Sequence, residues 1–170
     1  LTGGSAATNR NSTTVNNYIA YGDSANNNYL NGDLYYVAIF NTVLSASDQA
    51  LVESIGGSTT VYPLDTITSA AKINLRGAWD LRVMFKESAA APIIRLQNLA
   101  GTISQDFYGD ATGTTLTTAP YGAGTTVQSW MATNGVGLPY VSTWYDQSYY
   151  VRGGSGTQYN ATASGSQRPF

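Results

Sequence analysis

The stretch of residues 140–148, Tyr-Val-Ser-Thr-Trp-Tyr-Asp-Gln-Ser, constrains the fold of this chain more than any other segment. Its β-branched and aromatic residues favour a β-strand, with neighbouring side chains such as Trp144 and Tyr145 on opposite faces. The polar residues that begin at Asp146 hydrogen-bond readily to their own backbone and predict a turn that ends the strand. The segment therefore indicates a sheet protein.

The composition also favours strands joined by many turns. Charged residues make up only 11% of the 170 residues, and Thr, Ser, Asn, Gly and 13 Tyr take their place. The apolar fraction of 42% is ordinary for a folded protein. The length is enough for one well-buried domain or for parts of two. We therefore expect an all-β protein of the extracellular or virion type.

Several classes of chemistry are excluded by residue types that the chain lacks. It has no Cys and no His, which removes thiolate nucleophiles, imidazole bases, disulfides and soft-metal sites together. The eight basic residues are scattered from Arg10 to Arg168, so a surface for nucleic acid is not indicated. No segment approaches roughly 18 uninterrupted apolar residues, which argues against membrane insertion. Residues 1–4 show no initiator Met or signal-peptide pattern, and we expect a processed product or a piece of a longer chain.

The first third of the chain predicts a strand followed by a short helix. Residues 33–40 alternate between two faces that are both apolar, which indicates a β-strand. Either Ser45 or Ser47 can cap a helix over residues 47–55. The Ser, Thr and Pro residues that follow are typical of a connector, which we place at residues 58–66.

The rest of the chain predicts two more helices and a hairpin. Residues 78–86 place apolar side chains at a spacing that favours a helix. A strand at residues 92–97 is expected to pair with a second strand at 102–108 in a hairpin. Residues 125–131 indicate a short helix with a Thr cap and a buried apolar side.

Three blocks of the second half follow one another in an order that is known from one family. They are Ala-Trp-Asp-Leu-Arg at 78–82, Asp-Phe-Tyr-Gly-Asp at 106–110 with Leu-Thr-Thr-Ala-Pro at 116–120, and the stretch 141–148. Together they resemble the opening part of the catalytic-domain family of fungal α-L-arabinofuranosidases, a concanavalin-like β-sandwich. The module is also similar to repeats in surface proteins of algal giant viruses and in some phage and bacterial proteins.

Residues 31–55 are similar to the other end of such a fold, where concanavalin-like and laminin-G-like sandwiches close with a strand and a short helix. The resemblance implies an all-β fold, a concanavalin-like antiparallel β-sandwich or jelly roll with a few short helices. Residues 1–57 would be its closing strands and helix, 58–66 a linker, and 67–170 the opening part of an arabinofuranosidase-like sandwich. Two geometries remain open: one permuted sandwich, or the junction of two tandem sandwiches.

The strand and turn at 140–150 also supply the candidate ligand contacts. Aromatic rings can stack on sugar faces while polar groups bind the hydroxyls, and the residues that could contact a glycan in this way are Trp144, Tyr145, Asp146, Tyr149 and Tyr150. Of these, Tyr149 and Tyr150 are expected to be the exposed pair. The alternative, which we prefer for two of them, is structural: Asp146 caps its own turn and Trp144 fills the core between sheets.

Catalysis or hard-metal binding would have to come from carboxylates. Glycosidases use two carboxyl groups, about 5 Å apart in retaining enzymes and about 6.5 to 9.5 Å apart in inverting ones. The resemblance places that pair in a central part of the family's domain that this chain does not match, so no catalytic residue is assigned. Asp48 and Glu53 are expected to be solvated charges. Asp106 and Asp110 are calcium candidates without the usual loop spacing, and no other cofactor is predicted.

Two Asn residues, Asn11 and Asn160, begin Asn-x-Thr/Ser patterns and are candidate N-glycosylation sites. We expect a non-catalytic structural or adhesion module on a virion surface or outside the cell, with glycans and neighbouring repeats or surface subunits as partners. The competing hypothesis is a glycoside hydrolase of the arabinofuranosidase type whose catalytic centre lies outside this chain. A third is a spacer that binds no ligand.

Overall fold

The computed structural model describes residues 36–55 and 61–163, which fall within one unit, Leu34–Phe170. These residues form antiparallel β-strands and a few short helices. The strands are β1 Tyr36–Phe40, β2 Leu75–Asp80, β3 Ile94–Gln97, β4 Ser104–Gly109, β5 Leu116–Thr117, β6 Tyr140–Trp144 and β7 Ala161–Thr162. The helices are α1 Ala46–Ser54, α2 Ser69–Asn74, α3 Val127–Thr133 and α4 Ser148–Val151, and 3₁₀ turns lie at Lys86–Ser88 and Pro120–Gly122. Within the described ranges, no helix is long and apolar enough to cross a membrane.

The strands form two antiparallel sheets. In the smaller one, β1 pairs with β2 and places Ala38 opposite Ala78. In the larger one, the strand order is β5-β4-β3-β6-β7, so β3 lies at the centre between β4 and β6. The predicted strands at 92–97 and 140–145 and the hairpin with 102–108 are therefore confirmed. The local alternation of these segments was sufficient because each has one apolar face to bury.

The small sheet and helices α1 and α2 enclose a first hydrophobic core. Its buried side chains are Ile55, Leu64, Ile67, Ala71, Leu75, Ala78, Met84 and Phe85. Burying a large apolar side chain stabilises the fold by about 1.5–3 kcal/mol. This core draws residues from both sides of the predicted linker at 58–66. The division of the chain into domains around that linker stays a prediction.

The inner face of the five-stranded sheet packs on α3 and forms a second core. Its buried side chains are Val83, Ala89, Ile93, Ile94, Leu96, Phe107, Trp130 and Val136. Helix α3 begins after Thr126, whose side chain accepts a hydrogen bond from the backbone of Ser129. The ring of Trp130 then meets Phe107 edge to face, with centroids 5.3 Å apart. The predicted Thr-capped helix with a buried Trp is confirmed.

The helix predicted at residues 78–86 is wrong. Residues 78–80 belong to β2, where β1 supplies their hydrogen-bonding partners. Beyond β2, the side chain of Gln147 accepts a hydrogen bond from the backbone of Met84 and donates one to the carbonyl of Arg82, both at 2.8 Å. These partners come from distant parts of the chain, so they override a helical spacing that is only a local preference.

Helix α1 confirms the predicted cap, because Ser45 Oγ accepts from the backbone N–H of Asp48 at 3.1 Å. The prediction that Asp48 is a solvated charge is wrong, since this residue is only 3% exposed. Its carboxylate accepts from the backbone N–H and hydroxyl of Thr68 at 2.8 and 2.9 Å. The Thr68 backbone bond, followed by the one from Ser45, lowers the pKa of Asp48. Asp48 thus ties α1 to the N-terminus of α2.

Candidate functional site

The face of the five-stranded sheet opposite the second core carries polar and aromatic side chains. Residues directly opposed in an antiparallel pair share a face, and β3 opposes Arg95 to Asp106 on one side and to Thr143 on the other. Alternation along the chain adds Tyr108 and Tyr145 to the same side. We call these five residues the outer face. Each is at least partly exposed, so a ligand can reach them.

A bidentate ion pair between Arg95 and Asp106 lies at the centre of the outer face. Arg95 Nε donates to Oδ1 at 2.7 Å and Nη2 donates to Oδ2 at 2.8 Å. The hydroxyl of Tyr145 donates to the same Oδ1 at 2.8 Å, so guanidinium, carboxylate and phenol form one hydrogen-bonded unit. The Arg95 side chain is 44% exposed, and such a pair adds at most about 1 kcal/mol to stability. The unit is therefore mainly a feature of the surface.

The same contacts set the protonation states of the outer face. Burial by itself raises the pKa of Asp106, but the hydrogen bonds from Arg95 and Tyr145 and the Arg95 charge outweigh it and lower that pKa. Burial, followed by the hydrogen bond to Asp106, raises the pKa of Tyr145 to about 12. At neutral pH the outer face presents an ionised carboxylate, a guanidinium and a neutral phenol. This combination can both donate to and accept from hydroxyl groups.

Asp146, one of the predicted glycan contacts, is fully buried. Its Oδ1 accepts from the backbone N–H groups of Ala78 and Ser148 at 3.0 and 2.9 Å. Its Oδ2 accepts from the backbone of Tyr159 at 3.2 Å and lies 3.5 Å from Arg152 Nη2. The Ser148 bond is the predicted contact by which Asp146 caps its own turn. The carboxylate is therefore occupied by the protein itself rather than presented to a ligand.

Gln147 joins the same turn to the segment that follows β2. Its Oε1 accepts from the backbone of Met84 at 2.8 Å and from Ser88 Oγ at 3.1 Å. Its Nε2 donates to the carbonyls of Asp80 and Arg82 at 3.1 and 2.8 Å. The side chain is 1% exposed and uses both lone pairs and both N–H groups of its amide. We call residues 146–148 the buried turn, because their side chains hold the chain between the two cores.

The other predicted glycan contacts do not lie on the outer face. Trp144 packs against the second core, and its Nε1 donates to the carbonyl of Asp80 at 3.3 Å. Tyr149 and Tyr150 lie on α4, which packs against β2, and their rings meet edge to face at 5.3 Å. Both are half-buried rather than fully exposed. Of the five predicted contacts, only Tyr145 lies on the outer face.

Two carboxylates that were candidates for calcium have protein partners. Asp106 is bound by Arg95 and Tyr145, as described above. Asp110 Oδ1 accepts from the backbone N–H groups of Thr112 and Thr114, at 3.1 and 3.2 Å, and closes the loop after β4. Burial raises the pKa of Asp110, but these bonds and that of the Thr112 hydroxyl lower it overall. Among the residues that the structure describes, no cluster of three or more acidic side chains could hold a metal ion.

The two candidate glycosylation sites stay predictions. Asn160 is half-buried and directly precedes β7. Its Oδ1 accepts from the backbone N–H of Asp146 at 3.0 Å, whereas a sugar would be attached to its Nδ2. Asn11 lies outside the described residues. Glycosylation at Asn160 would therefore modify a side chain that also contacts the buried turn.

Three members of the outer face, Arg95, Tyr108 and Thr143, are not among the site residues predicted from the sequence. The predicted hairpin brings the two strands together, but the register that places Arg95 opposite Asp106 is known only from the structure. Register depends on the geometry of the connecting turn, which the pattern of the strands did not specify. Comparison of the chain with protein-family models, with curated proteins and with solved structures finds no match. The interpretation of the outer face therefore rests on its geometry.

Proposed function

We propose that this chain is a non-catalytic structural or adhesion module that contacts glycans through the outer face. The observation that carries the proposal is the hydrogen-bonded unit of Arg95, Asp106 and Tyr145 on a partly exposed sheet. Tyr108 adds a second ring on the same side. Rings of this kind cover the apolar faces of sugars, while charged groups bind the hydroxyls. The paired strands hold these groups in place, so binding requires little reordering.

The described carboxylates favour binding over hydrolysis. A glycosidase acid needs a raised pKa and a second carboxyl group at a defined distance. The pKa of Asp106 is lowered instead, and Asp146 is enclosed by backbone donors. Asp80 is ion-paired with Arg82 at 2.9 Å. None of these three carboxylates is therefore set up as a glycosidase acid, and the hydrolase alternative keeps the catalytic pair outside this chain, as the resemblance implies.

A concanavalin-like sandwich is the fold that we propose for the complete module. Its support is that the three sequence blocks behind the resemblance meet in space. Gln147 of the third block bonds to Asp80 and Arg82 of the first, and Tyr145 bonds to Asp106 of the second. The location on a virion surface or outside the cell, beside neighbouring repeats or surface subunits, is proposed from the resemblance and the composition.

Binding of the chain to an array of neutral and acidic oligosaccharides tests the proposal. We expect Arg95→Gln and Tyr108→Ala to weaken binding roughly tenfold or more, since each removes a direct contact. Tyr149→Phe is the matched control, because it removes a hydroxyl from α4 instead. Loss of binding in the control alone would move the site to α4. Binding to no glycan would overturn the proposal, and cleavage of an aryl arabinofuranoside by this chain or by a longer chain that contains it would favour the hydrolase.

A further inference from the structure

An open pocket of about 370 Å³ shares no residue with the outer face. It lies where α2, β2 and the loop after α4 meet, and its lining residues are Ile73, Arg76, Val151, Arg152, Ser155 and Gly156. Its volume is at the lower end of the range for small-molecule sites. Two of the six lining residues are arginines, so charge decides which ligands it would accept.

Arg76 lines the pocket from a bulge in β2. The pairing of β1 with β2 shifts after Ile39, which leaves Arg76 without an opposed residue. Bulges of this kind re-aim a side chain relative to the regular alternation. With the Asn41 amide nitrogen donating to Asn74, the Asn41 oxygen accepts from Arg76 Nη2 at 2.6 Å and from Nε at 3.0 Å. The guanidinium is thereby held in place by a neutral partner.

In the described part of the chain, no carboxylate forms an ion pair with Arg76. Within residues 36–55 and 61–163, no carboxylate oxygen lies within 4.0 Å of its guanidinium. An Arg side chain has five N–H donors, and the two bonds to Asn41 use two of them. Donors therefore remain that a ligand in the pocket can engage.

Arg152 is the second arginine and is held more rigidly. Its Nε donates to the carbonyl of Ser148 at 3.3 Å, and its Nη2 donates to the carbonyl of Thr157 at 3.0 Å and lies 3.5 Å from Asp146 Oδ2. Its other terminal nitrogen, Nη1, lies beside Gly156, because a Cβ built on that glycine would be 3.6 Å from Nη1. Since Asp146 balances the charge of Arg152, the residues that the structure describes leave one positive charge, that of Arg76, unbalanced in the pocket.

We propose that this pocket binds a small ligand through a single carboxylate group, as in a sugar acid. The two oxygens of a carboxylate match the parallel N–H groups of a guanidinium, and one negative charge balances the charge of Arg76. The apolar side chains of Ile73 and Val151 offer an uncharged surface to the rest of the ligand. The site is independent of the outer face, so either proposal can fail without the other.

Titration of the ¹⁵N-labelled chain with sodium glucuronate at low ionic strength tests this site, with glucose as the neutral analogue and sodium sulfate as an inorganic anion. We expect saturable shifts of the Arg76 Nε–H and of the Val151 and Gly156 amides with glucuronate, and none with glucose. Arg76→Gln should lower the affinity roughly tenfold or more. Lys86→Gln, which removes an exposed cation that belongs neither to the outer face nor to this pocket, is the matched control and should leave the affinity unchanged. Added NaCl should weaken binding by screening.

Three results would overturn the proposal. The first is no saturable shift with glucuronate in a chain whose spectrum is that of a folded protein. The second is equal binding of glucose, which would show that charge is not recognised. The third is saturation by sulfate but not by glucuronate, which would assign the pocket to an inorganic anion. Arg76 is exposed on a bulge, so its substitution tests binding while Arg152 stays in place as the partner of the buried Asp146.

Discussion

The Oδ1 atom of Asp146 accepts a hydrogen bond of 3.0 Å from the backbone N–H of Ala78, which lies 68 residues earlier in the chain. The same oxygen accepts from Ser148, two residues later, at 2.9 Å. One carboxylate thus caps a local turn and anchors a distant strand at once. These two structural contacts explain why the Asp146 carboxylate is buried, although a ligand-binding carboxylate would have to be exposed.

Replacing Asp146 should unfold the protein more readily than replacing most other residues. Asp146→Ala leaves backbone donors and the charge of Arg152 without their partner, and we expect a loss of about 3–5 kcal/mol in the free energy of unfolding. Asp146→Asn keeps an acceptor for Ala78 and should cost less. Urea denaturation measures both. A loss below about 0.5 kcal/mol for Asp146→Ala would contradict the structure.

Gln147→Leu should loosen the segment that follows β2. The substitution keeps an apolar stem of similar size but removes all four hydrogen bonds of the amide. Leaving buried backbone groups unpaired costs about 1–3 kcal/mol for each group. Hydrogen exchange of the Met84 amide, which donates to Gln147 Oε1, should lose protection most. Gln97→Leu is the control, and equal protection of Met84 in both variants would refute the assignment.

The phenol of Tyr145 should lose its proton at a higher pH than an ordinary tyrosine. Burial and the hydrogen bond to Asp106 raise its pKa to about 12, from the ordinary 10.0. Because the folded state holds this proton more tightly, the resulting stability is fully present below pH 10 and is lost as the pH rises through the folded value. In a titration to high pH, the phenolate absorbance of the protein should show a last increase that Tyr145→Phe lacks. Identical titration curves for the two proteins would contradict this prediction.

The carboxyl group of Asp106 should stay ionised in mild acid. Burial opposes ionisation, but the contacts from Arg95 and Tyr145 outweigh it and hold the pKa below the ordinary 3.8. The stability that this provides is present above the ordinary value and is lost as the pH falls through the lowered one. Carboxyl ¹³C NMR should show the Asp106 pKa rising in Arg95→Gln but not in Arg76→Gln. A rise in both, or in neither, would disprove the pairing.

A methyl group added at Gly124 should be poorly tolerated. A Cβ there would lie 2.5 Å from the backbone nitrogen of Ala119 and 2.9 Å from the carbonyl carbon of Thr118, so backbone would have to move. We expect Gly124→Ala to cost about 1–3 kcal/mol. Gly137→Ala is the matched control, because nothing lies within 4 Å of its Cβ, and it should change stability by less than about 0.5 kcal/mol. Equal urea midpoints for Gly124→Ala and Gly137→Ala would contradict this prediction, because they would show that the backbone around Gly124 can move at little cost.

The sequence pattern correctly predicted two kinds of element: helices whose capping contacts are local, and strands that have one apolar and one polar face. The strand at 140–144 and the hairpin strands each bury one side, and α1 and α3 begin at side-chain caps three residues before the N–H groups that they bind. The helix predicted at 78–86 failed because the competing partners, β1 and Gln147, are far away in the chain. The solvated Asp48 failed for the same reason, since its partner Thr68 is 20 residues away.

By itself, the sequence determined that this protein contains β-strands and has no Cys or His chemistry. Both conclusions need only the residue types and their local order along the chain. Only the tertiary structure decided which polar residues are structural and which face outward. The motif residues Asp146 and Gln147 are buried, whereas Tyr145 joins Arg95 and Asp106 on the outer face. Their roles depend on strand register and on contacts across more than 60 residues, such as that of Gln147 with Met84, and such contacts leave no periodic trace in the chain.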